Sequence, residues 1–123
     1  MATLTPTLTL ASSDMNGDTL NLSVTDSLSI LGQVTTKQVV TSVTAAVFAA
    51  NGGYTKSYVY LKNLSATEAE IIYIRTATGG TDVMDLGAGE WAFFPWSGDV
   101  DWAYDAAQGT PTLEVRIYQA SAA

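Results

Sequence analysis

The chain has 123 residues, enough for one ordinary domain, and it contains neither cysteine nor histidine. Within these residues there is therefore no disulfide, no zinc site built on thiolate or imidazole, and no Ser-His-Asp or Cys-His catalysis. The net charge is −7 and the five basic residues are scattered, so direct contact with nucleic acid is not expected.

The N-terminal stretch TLTPTLTL (3–10) alternates threonine with leucine or proline, which is typical of a strand. The alternation puts Leu4, Pro6, Leu8 and Leu10 on one face. Proline cannot donate a hydrogen bond to a β-ladder, so a central strand is not expected here. We predict that residues 1–10 form an N-terminal arm or edge strand ahead of a sandwich domain at 11–123. The four residues of this face are candidate contacts with another subunit or a shell.

The rest of the chain is predicted to consist of strands. Residues 19–31 alternate again, and residues 34–48 combine helically spaced valines with a high β-branched content, which favours a strand. Six shorter strands are predicted at 58–63, 70–76, 82–86, 90–94, 100–106 and 112–119, separated by turns rich in glycine, proline and serine. This pattern predicts an all-β fold, a single-domain antiparallel β-sandwich of jelly-roll-like form.

An acidic cluster lies in SGDVDWAYDAA, where Asp99, Asp101 and Asp105 share one face of a predicted strand. Trp102 and Tyr104 point to the opposite face, so no apolar pocket is available to raise the pKa of one carboxylate. A solvated acidic face is expected rather than a catalytic pair. We therefore expect no enzymatic activity.

A second acidic motif, DMNGDT (14–19), places Asp14, Asn16 and Asp18 at the first three ligand offsets of a calcium loop. The pattern then departs from that loop, because glycine occupies the fourth position and Thr25 the twelfth. An Asx turn between two strands explains the same residues. We expect neither a metal nor a cofactor, although cation binding by these three residues stays open.

The segment EWAFFPW (90–96) concentrates aromatic side chains. Trp91 and Phe93 share a face and are predicted to be core residues. Phe94 points the other way, and Pro95 ends the strand and places Trp96 in a turn. Phe94 and Trp96 are therefore candidate contacts with a neighbouring loop or another chain. Sugar stacking on Trp96 is the alternative.

The surface composition favours assembly. Only 14% of the residues are charged, and the strands at 58–63 and 70–76 are apolar on both faces. Such strands are typical of sheets that are covered on both sides. We predict a homotrimer. Neither a secretory signal nor a membrane span of about 20 apolar residues is visible in the sequence.

Three segments together resemble small virion proteins of tailed bacteriophages. They are YVYLKNLSATEAEIIYIRTATGG, MDLGAGEWAFFPW and GTPTLEVRIYQA, which cover residues 58–120. The matching positions are Lys62 and Asn63, then Leu86, Gly89 and Glu90, then Gly109, Thr110, Leu113, Glu114 and Val115. Apart from the resemblance, Gly87 and Gly89 permit a tight reversal, and Glu90 can accept hydrogen bonds from amides freed in the turn.

The resemblance implies a capsid decoration (cement) protein that stabilises a phage head by contact with the major capsid protein. It implies synthesis in the host cytoplasm and a final location on the virion surface, and it supplies no catalytic residue. The alternative is a carbohydrate-binding or receptor-binding fibre domain that uses Trp91, Trp96 or Trp102.

Overall fold

The computed structural model describes residues 2–14, 20–40 and 42–120, and these residues form eleven β-strands without a helix. In chain order the strands are β1 (Ala2–Leu4), β2 (Thr7–Ser12), β3 (Leu20–Thr25), β4 (Leu28–Val40), β5 (Ala46–Ala49), β6 (Ser57–Asn63), β7 (Ile72–Arg75), β8 (Asp82–Leu86), β9 (Trp91–Trp96), β10 (Trp102–Ala106) and β11 (Thr112–Ala120). Neighbouring strands pair antiparallel. The described ranges contain no helix long and apolar enough to span a membrane.

Two sheets form the body of the protein. The large sheet has the order β1-β4-β11-β6-β9, and the small sheet has the order β5-β10-β7-β8. Strands β4 to β11 pass between the two sheets in the order of a jelly roll, four strands to each. The predicted all-β sandwich is confirmed. The strand character predicted over 34–48 is confirmed for 34–40 and 46–48, but the single strand is wrong, because β4 ends at Val40 and β5 belongs to the other sheet.

The core lies between the sheets because alternate residues of each strand point inward. In β6, Ser57, Val59, Leu61 and Asn63 are fully buried while the residues between them are half exposed. Strand β11 repeats this alternation beside it. The buried apolar cluster draws on both sheets and comprises Phe48, Ala49, Val59, Leu61, Ile72, Ile74, Leu86, Trp96, Trp102, Leu113, Val115 and Ile117. Each fully buried side chain of this kind stabilises the fold by roughly 1.5–3 kcal/mol.

A two-stranded ribbon extends the large sheet at one edge. Strand β1 pairs with the start of β4, and β2 pairs with β3 in the same register, since Leu4 faces Leu28 and Thr7 faces Thr25. Between the two ladders, the amide of Asp26 donates to the carbonyl of Pro6 at 3.2 Å. Pro6 has no amide hydrogen to return a bond, which weakens the ladder at this point. Beyond it, β2 and β3 belong to neither sheet.

This arrangement differs from the single strand predicted over residues 3–10. The structure divides that stretch at Thr5 and Pro6 into an edge strand, β1, and one half of the ribbon, β2. The partners of both halves come from residues 20–30, at separations that grow from 8 positions for Ser12 and Leu20 to 28 for Ala2 and Ile30. A local pattern of alternation contains no information about such a partner.

Asn63 connects the ends of several strands. Its side-chain amide donates to the carbonyls of Glu70 at 2.8 Å and Leu86 at 2.9 Å, and its Oδ1 accepts from the amide of Ser65 at 2.9 Å. Its backbone carbonyl accepts from the amide of Gly89 at 3.0 Å. The buried polar side chain is therefore satisfied, and it links the end of β6 to the end of β8 and the following turn.

The turn between β8 and β9 has the features expected from its sequence. Gly89 has a φ of 78°, a conformation that glycine adopts without strain. The carboxylate of Glu90 accepts from the amide of Gly87 at 2.5 Å, which confirms the predicted role of Glu90. Asn63, Gly89 and Glu90, which contribute to the resemblance, thus form one hydrogen-bonded unit whose role is structural.

Candidate docking surface

The outer face of the large sheet has three rows of opposing side chains from β11, β6 and β9. The rows are Tyr118–Tyr58–Pro95, Arg116–Tyr60–Phe93 and Glu114–Lys62–Trp91. Because the alternate residues of β6 and β11 fill the core, these side chains face away from it. We call Tyr58, Tyr60, Trp91, Phe93 and Tyr118 the aromatic face. Tyr58 and Phe93 stack within it, with ring centroids 6.3 Å apart.

The structure reverses the facing predicted for β9. Trp91 and Phe93 were expected in the core, yet Trp91 is 55% exposed and Phe93 is half buried on the outer face. Trp96 was expected to need cover from a neighbouring loop or another chain, and it is 3% exposed, with its ring centroid 5.4 Å from that of Tyr54 in the loop before β6. Phe94 is half buried and lies edge-on to Trp102 at 5.2 Å. Of the two alternatives, the structure shows cover of Trp96 by its own chain, so Trp96 is not available as a contact with another subunit.

Pairing with β6 is the physical reason for the reversal. Phe94 lies opposite Val59 and Trp96 opposite Ser57, both fully buried, and opposed residues point to the same side of a sheet. Both faces of β9 are rich in aromatics, so composition does not distinguish the inner face from the outer. Pro95 does not end the strand as predicted, because β9 continues to Trp96 at the edge of the sheet, where proline is tolerated.

The ribbon presents one apolar face and one polar face. Leu8 opposes Val24 and Leu10 opposes Leu22, and all four are exposed, at 39%, 50%, 43% and 42% respectively. We call these four residues the ribbon face. The opposite side carries hydroxyls, among them Thr7 and Thr25, whose Oγ1 atoms lie 3.3 Å apart. Two strands without a third or a packed helix are marginally stable in water, so this face favours an additional contact.

A cleft of about 450 Å³ lies between the ribbon and the aromatic face. Its lining residues come from both, and they are Leu4, Pro6, Thr7, Leu8, Val24, Asp26, Tyr60, Trp91, Phe93 and Tyr118. Leu4 and Pro6, two of the contacts predicted from the sequence, are half buried at the base of the ribbon. Leu8 lies on the wall, and Leu10 lies farther out and does not line the cleft. Among the residues that the structure describes, the lining is largely apolar and Asp26 is its only charged residue.

Several lining residues were not predicted as contacts. The alternation within residues 19–31 puts Val24 on the same strand face as Leu22, but the sequence alone assigns no partner to that face. Tyr60 and Tyr118 lie on strands that the sequence predicts well, but the alternation alone does not show which surface their outward side chains would meet. One signal was available in the sequence, because alternation puts Tyr58 and Tyr60 on the outer face of their strand. Once β9 is known to pair with that strand, Trp91 and Phe93 fall beside them.

The aromatic face is interspersed with positive charge. Lys62 and Arg116 occupy its rows, and Glu114 accepts a hydrogen bond from Arg116 at 3.1 Å, which raises the pKa of the guanidinium. Lys56 lies 5.7 Å from the centroid of the Tyr58 ring, within the range of a cation–π contact. These three basic groups outnumber Glu114 and the Asp26 of the cleft, which leaves this surface slightly positive in a chain of net charge −7.

The outer face of the small sheet has the opposite character. Arg75 is paired with Asp82 at 2.7 Å and with Asp105 at 3.4 Å, and Asp85 lies on the same face opposite Tyr73. Asp85 is exposed, but slight desolvation raises its pKa, and the neighbouring carboxylate of Asp82 raises the pKa further by repulsion and hydrogen bonding, while Arg75 opposes the shift. Three carboxylates around one arginine make this face negative.

The acidic cluster predicted at 99–105 does not converge on one point. Asp105 pairs with Arg75, Asp101 accepts a hydrogen bond from the backbone of Asn51 at 2.8 Å, and Asp99 is exposed on a loop. In the second motif, Asp14 accepts a hydrogen bond from Ser12 at 2.8 Å, while positions 16 and 18 lie outside the described residues. Across the described ranges, no group of three or more acidic side chains could hold a metal ion.

The raised pKa of Asp85 predicts a pH-dependent stability effect. A carboxylate whose folded pKa exceeds its unfolded value of 3.8 destabilises the fold once it is ionised, and this cost grows as pH rises through the folded pKa. Asp85→Asn should therefore raise the melting temperature at neutral pH and leave it nearly unchanged below the unfolded value. Thermal melts across this range test the expectation. Asp99→Asn, which removes one charge from an exposed loop, is the control; an equal gain there would assign the effect to net charge.

Comparison with known proteins shows the fold alone. No family model matches the chain, and a search of curated proteins found no match. A solved structure of Bacillus endospore appendages, described as a novel family of disulfide-linked pili, is similar at 20% identity. The match covers 76% of this chain and 90% of that one, with a TM-score of 0.51. The similarity adds a β-protein neighbour to the sandwich fold and, at this identity, shows nothing about activity.

Proposed function

We propose that this protein is a structural subunit that acts through protein–protein contacts made by its ribbon and its aromatic face. The observation that carries the proposal is the ribbon face, since four large apolar side chains are exposed on two strands that lie outside both sheets. Contiguous exposed apolar surface of this kind marks interaction sites. The carboxylates of the cluster at 99–105 do not form a catalytic pair, which supports a structural role over an enzymatic one.

The assembly that we propose is the head of a tailed bacteriophage, with the chain as a homotrimeric decoration protein on the major capsid protein. The resemblance of residues 58–120 to small phage virion proteins supports this assignment. The fold neighbour is a pilus protein, so a role as an assembly subunit agrees with it as well. The 123 residues contain no cysteine, so the disulfide linkage described for those pili has no counterpart in them.

Co-sedimentation tests the virion assignment. Antibodies against the chain should label the surface of gradient-purified phage particles, and the chain should sediment with the particles rather than remain in the supernatant. Heads stripped of the chain and then refilled with it should bind it to saturation and withstand higher temperature before releasing DNA. A chain that stays entirely in the supernatant contradicts the virion role.

Glycan binding is the second candidate function, and the exposed indole of Trp91 at the cleft favours it. Aromatic side chains offer flat apolar surfaces to a sugar ring, but orientation requires converging polar groups. The cleft supplies Asp26, Thr7 and tyrosine hydroxyls against an otherwise apolar lining. Trp96 and Trp102, which were also considered for this role, are 3% and 8% exposed and are therefore not accessible to a sugar.

A further inference from the structure

The outer half of the ribbon face is not covered by its own chain. Leu8 and Val24 line the cleft, whereas Leu10 and Leu22, the next opposed pair toward the tip, lie beyond it. These two side chains are 43% and 42% exposed on the same side of the ribbon. An apolar pair on an unsupported two-stranded ribbon gains stability from any matching apolar surface. Within the described residues, no apolar surface of the same chain covers Leu10 and Leu22.

The aromatic face is the matching surface. It spans three strands, so it is wide enough for a two-stranded ribbon to lie across it. Trp91 is its most exposed aromatic side chain, at 55%, and it borders a cleft of about 450 Å³. That volume accommodates several leucine-sized side chains but excludes a folded domain. The surface therefore fits a narrow apolar element.

Charge indicates which narrow element fits. Asp14 lies just beyond the end of β2, at the outer end of the ribbon, and it is exposed. Beside the aromatic face, Lys56, Lys62 and Arg116 outnumber Glu114 and Asp26, whereas on the outer face of the small sheet three aspartates surround Arg75. The carboxylate of Asp14 is therefore attracted to the first surface and repelled by the second. The ribbon and the aromatic face are thus complementary in both apolarity and charge.

We propose that the cleft of one copy binds the outer ribbon of a second copy, with Leu10 and Leu22 against the aromatic face and Asp14 near Lys62. This inference rests on the proposed function, because it names the partner of the ribbon. The contact joins two different surfaces, so repetition of it closes a ring or extends a filament. A ring of three copies would be the homotrimer expected from the sequence.

The lining of the cleft favours this occupant over a sugar. A sugar exposes hydroxyls around its ring, and each one that is buried without a partner weakens binding. An apolar strand pair places leucines in the cleft while its own backbone hydrogen bonds stay satisfied within the ribbon. The few polar groups of the cleft are too few to bond the hydroxyls of a sugar, whereas an apolar strand pair does not require them.

Complementation between two variants tests the proposal. The ribbon variant combines Leu10→Glu with Leu22→Lys, which removes the apolar pair but retains a favourable cross-strand pair. The face variant is Trp91→Glu, at an exposed position on an edge strand where the fold tolerates the change. Val83→Glu, on the opposite sheet at 50% exposure, is the control. Circular dichroism establishes that each variant is folded, and sedimentation equilibrium gives its mass.

The wild type and Val83→Glu should self-associate, and each of the two test variants alone should be monomeric, with association weakened at least tenfold. Their equimolar mixture should form a dimer and nothing larger, because one intact ribbon meets one intact face. Continued self-association of Trp91→Glu alone overturns the proposal and indicates ribbon-to-ribbon pairing. A monomeric mixture also overturns it. So does a wild type that stays monomeric at roughly 100 μM, a level that reveals any micromolar Kd.

Fluorescence provides an independent readout. Trp96 and Trp102 are buried, so a blue shift of the emission with rising wild-type concentration should come from Trp91 and be absent in Trp91→Phe. A blue shift of the emission without an increase in the mass measured by sedimentation would contradict binding of a second copy. The same shift on addition of a glycan assigns the cleft to a sugar instead. If the chain self-associates but does not sediment with virions, this inference is supported and the virion role is rejected. If the chain sediments with virions but does not self-associate, only this inference is rejected.

Discussion

Trp96→Ala should lower the free energy of unfolding by about 3–5 kcal/mol, the usual cost of truncating a buried aromatic side chain to alanine. The indole is 3% exposed and lies against Tyr54 at 5.4 Å and Trp102 at 6.5 Å, centroid to centroid. Its removal leaves a cavity between the sheets that these rings cannot fill without losing their other contacts. The melting temperature should fall by roughly 10 °C or more.

Trp91→Ala is the matched control, because it removes the same side chain from the same strand on the opposite face. At a protein concentration low enough for both chains to be monomeric, its loss from a position that is 55% exposed should change the free energy of unfolding by no more than about 0.5 kcal/mol, as for other surface substitutions. Urea unfolding followed by circular dichroism compares the two without depending on tryptophan emission. Equal losses in both variants would contradict the facing of β9 that the structure shows. A larger loss for Trp91 would reverse it.

The strands of the sandwich were predictable because their signals are local. Gly89 and Glu90 mark a turn by their chemistry alone, and the structure shows the positive φ and the side-chain hydrogen bond expected there. The β-branched content of residues 34–48 likewise outweighed the helical spacing of the valines. Alternation and turn residues act over a few positions, so a sequence displays them directly.

The candidate site was less predictable because it depends on pairing between distant segments. Alternation puts Leu8 and Leu10 on one face of their strand and Leu22 and Val24 on one face of theirs. The sequence does not show that the two strands pair and that these four side chains share one face of the ribbon. For β9, alternation separates Trp91 from Phe94 without deciding which of them is buried. Here the decision comes from β6, where Val59 is fully buried opposite Phe94. Long-range register, rather than local propensity, determines which residues face the cleft.

The position of Asn63 also depends on contacts between distant segments, although Asn63 lies in a strand that the sequence predicts. Lys62 and Asn63 lie at the end of the strand predicted over 58–63, and β6 does end at Asn63. Its burial and its bond to Leu86 follow only from the neighbouring sheet. A polar side chain that is fully buried and fully bonded holds one arrangement of strand ends in preference to others.

Asn63→Leu should therefore lower the free energy of unfolding by about 2–5 kcal/mol, since two buried carbonyls each lose a donor at about 1–3 kcal/mol. These are the carbonyls of Glu70 and Leu86, which the side-chain amide of Asn63 reaches at 2.8 and 2.9 Å. Leucine has a similar volume, so the loss measures the missing hydrogen bonds rather than a cavity. Asn51→Leu, on an exposed loop, is the control and should change stability by no more than about 0.5 kcal/mol. Urea unfolding of both variants decides the question: a loss below about 1 kcal/mol for Asn63→Leu would mean that the carbonyls find water or another donor, and that Asn63 does not hold the end of β6 to the end of β8.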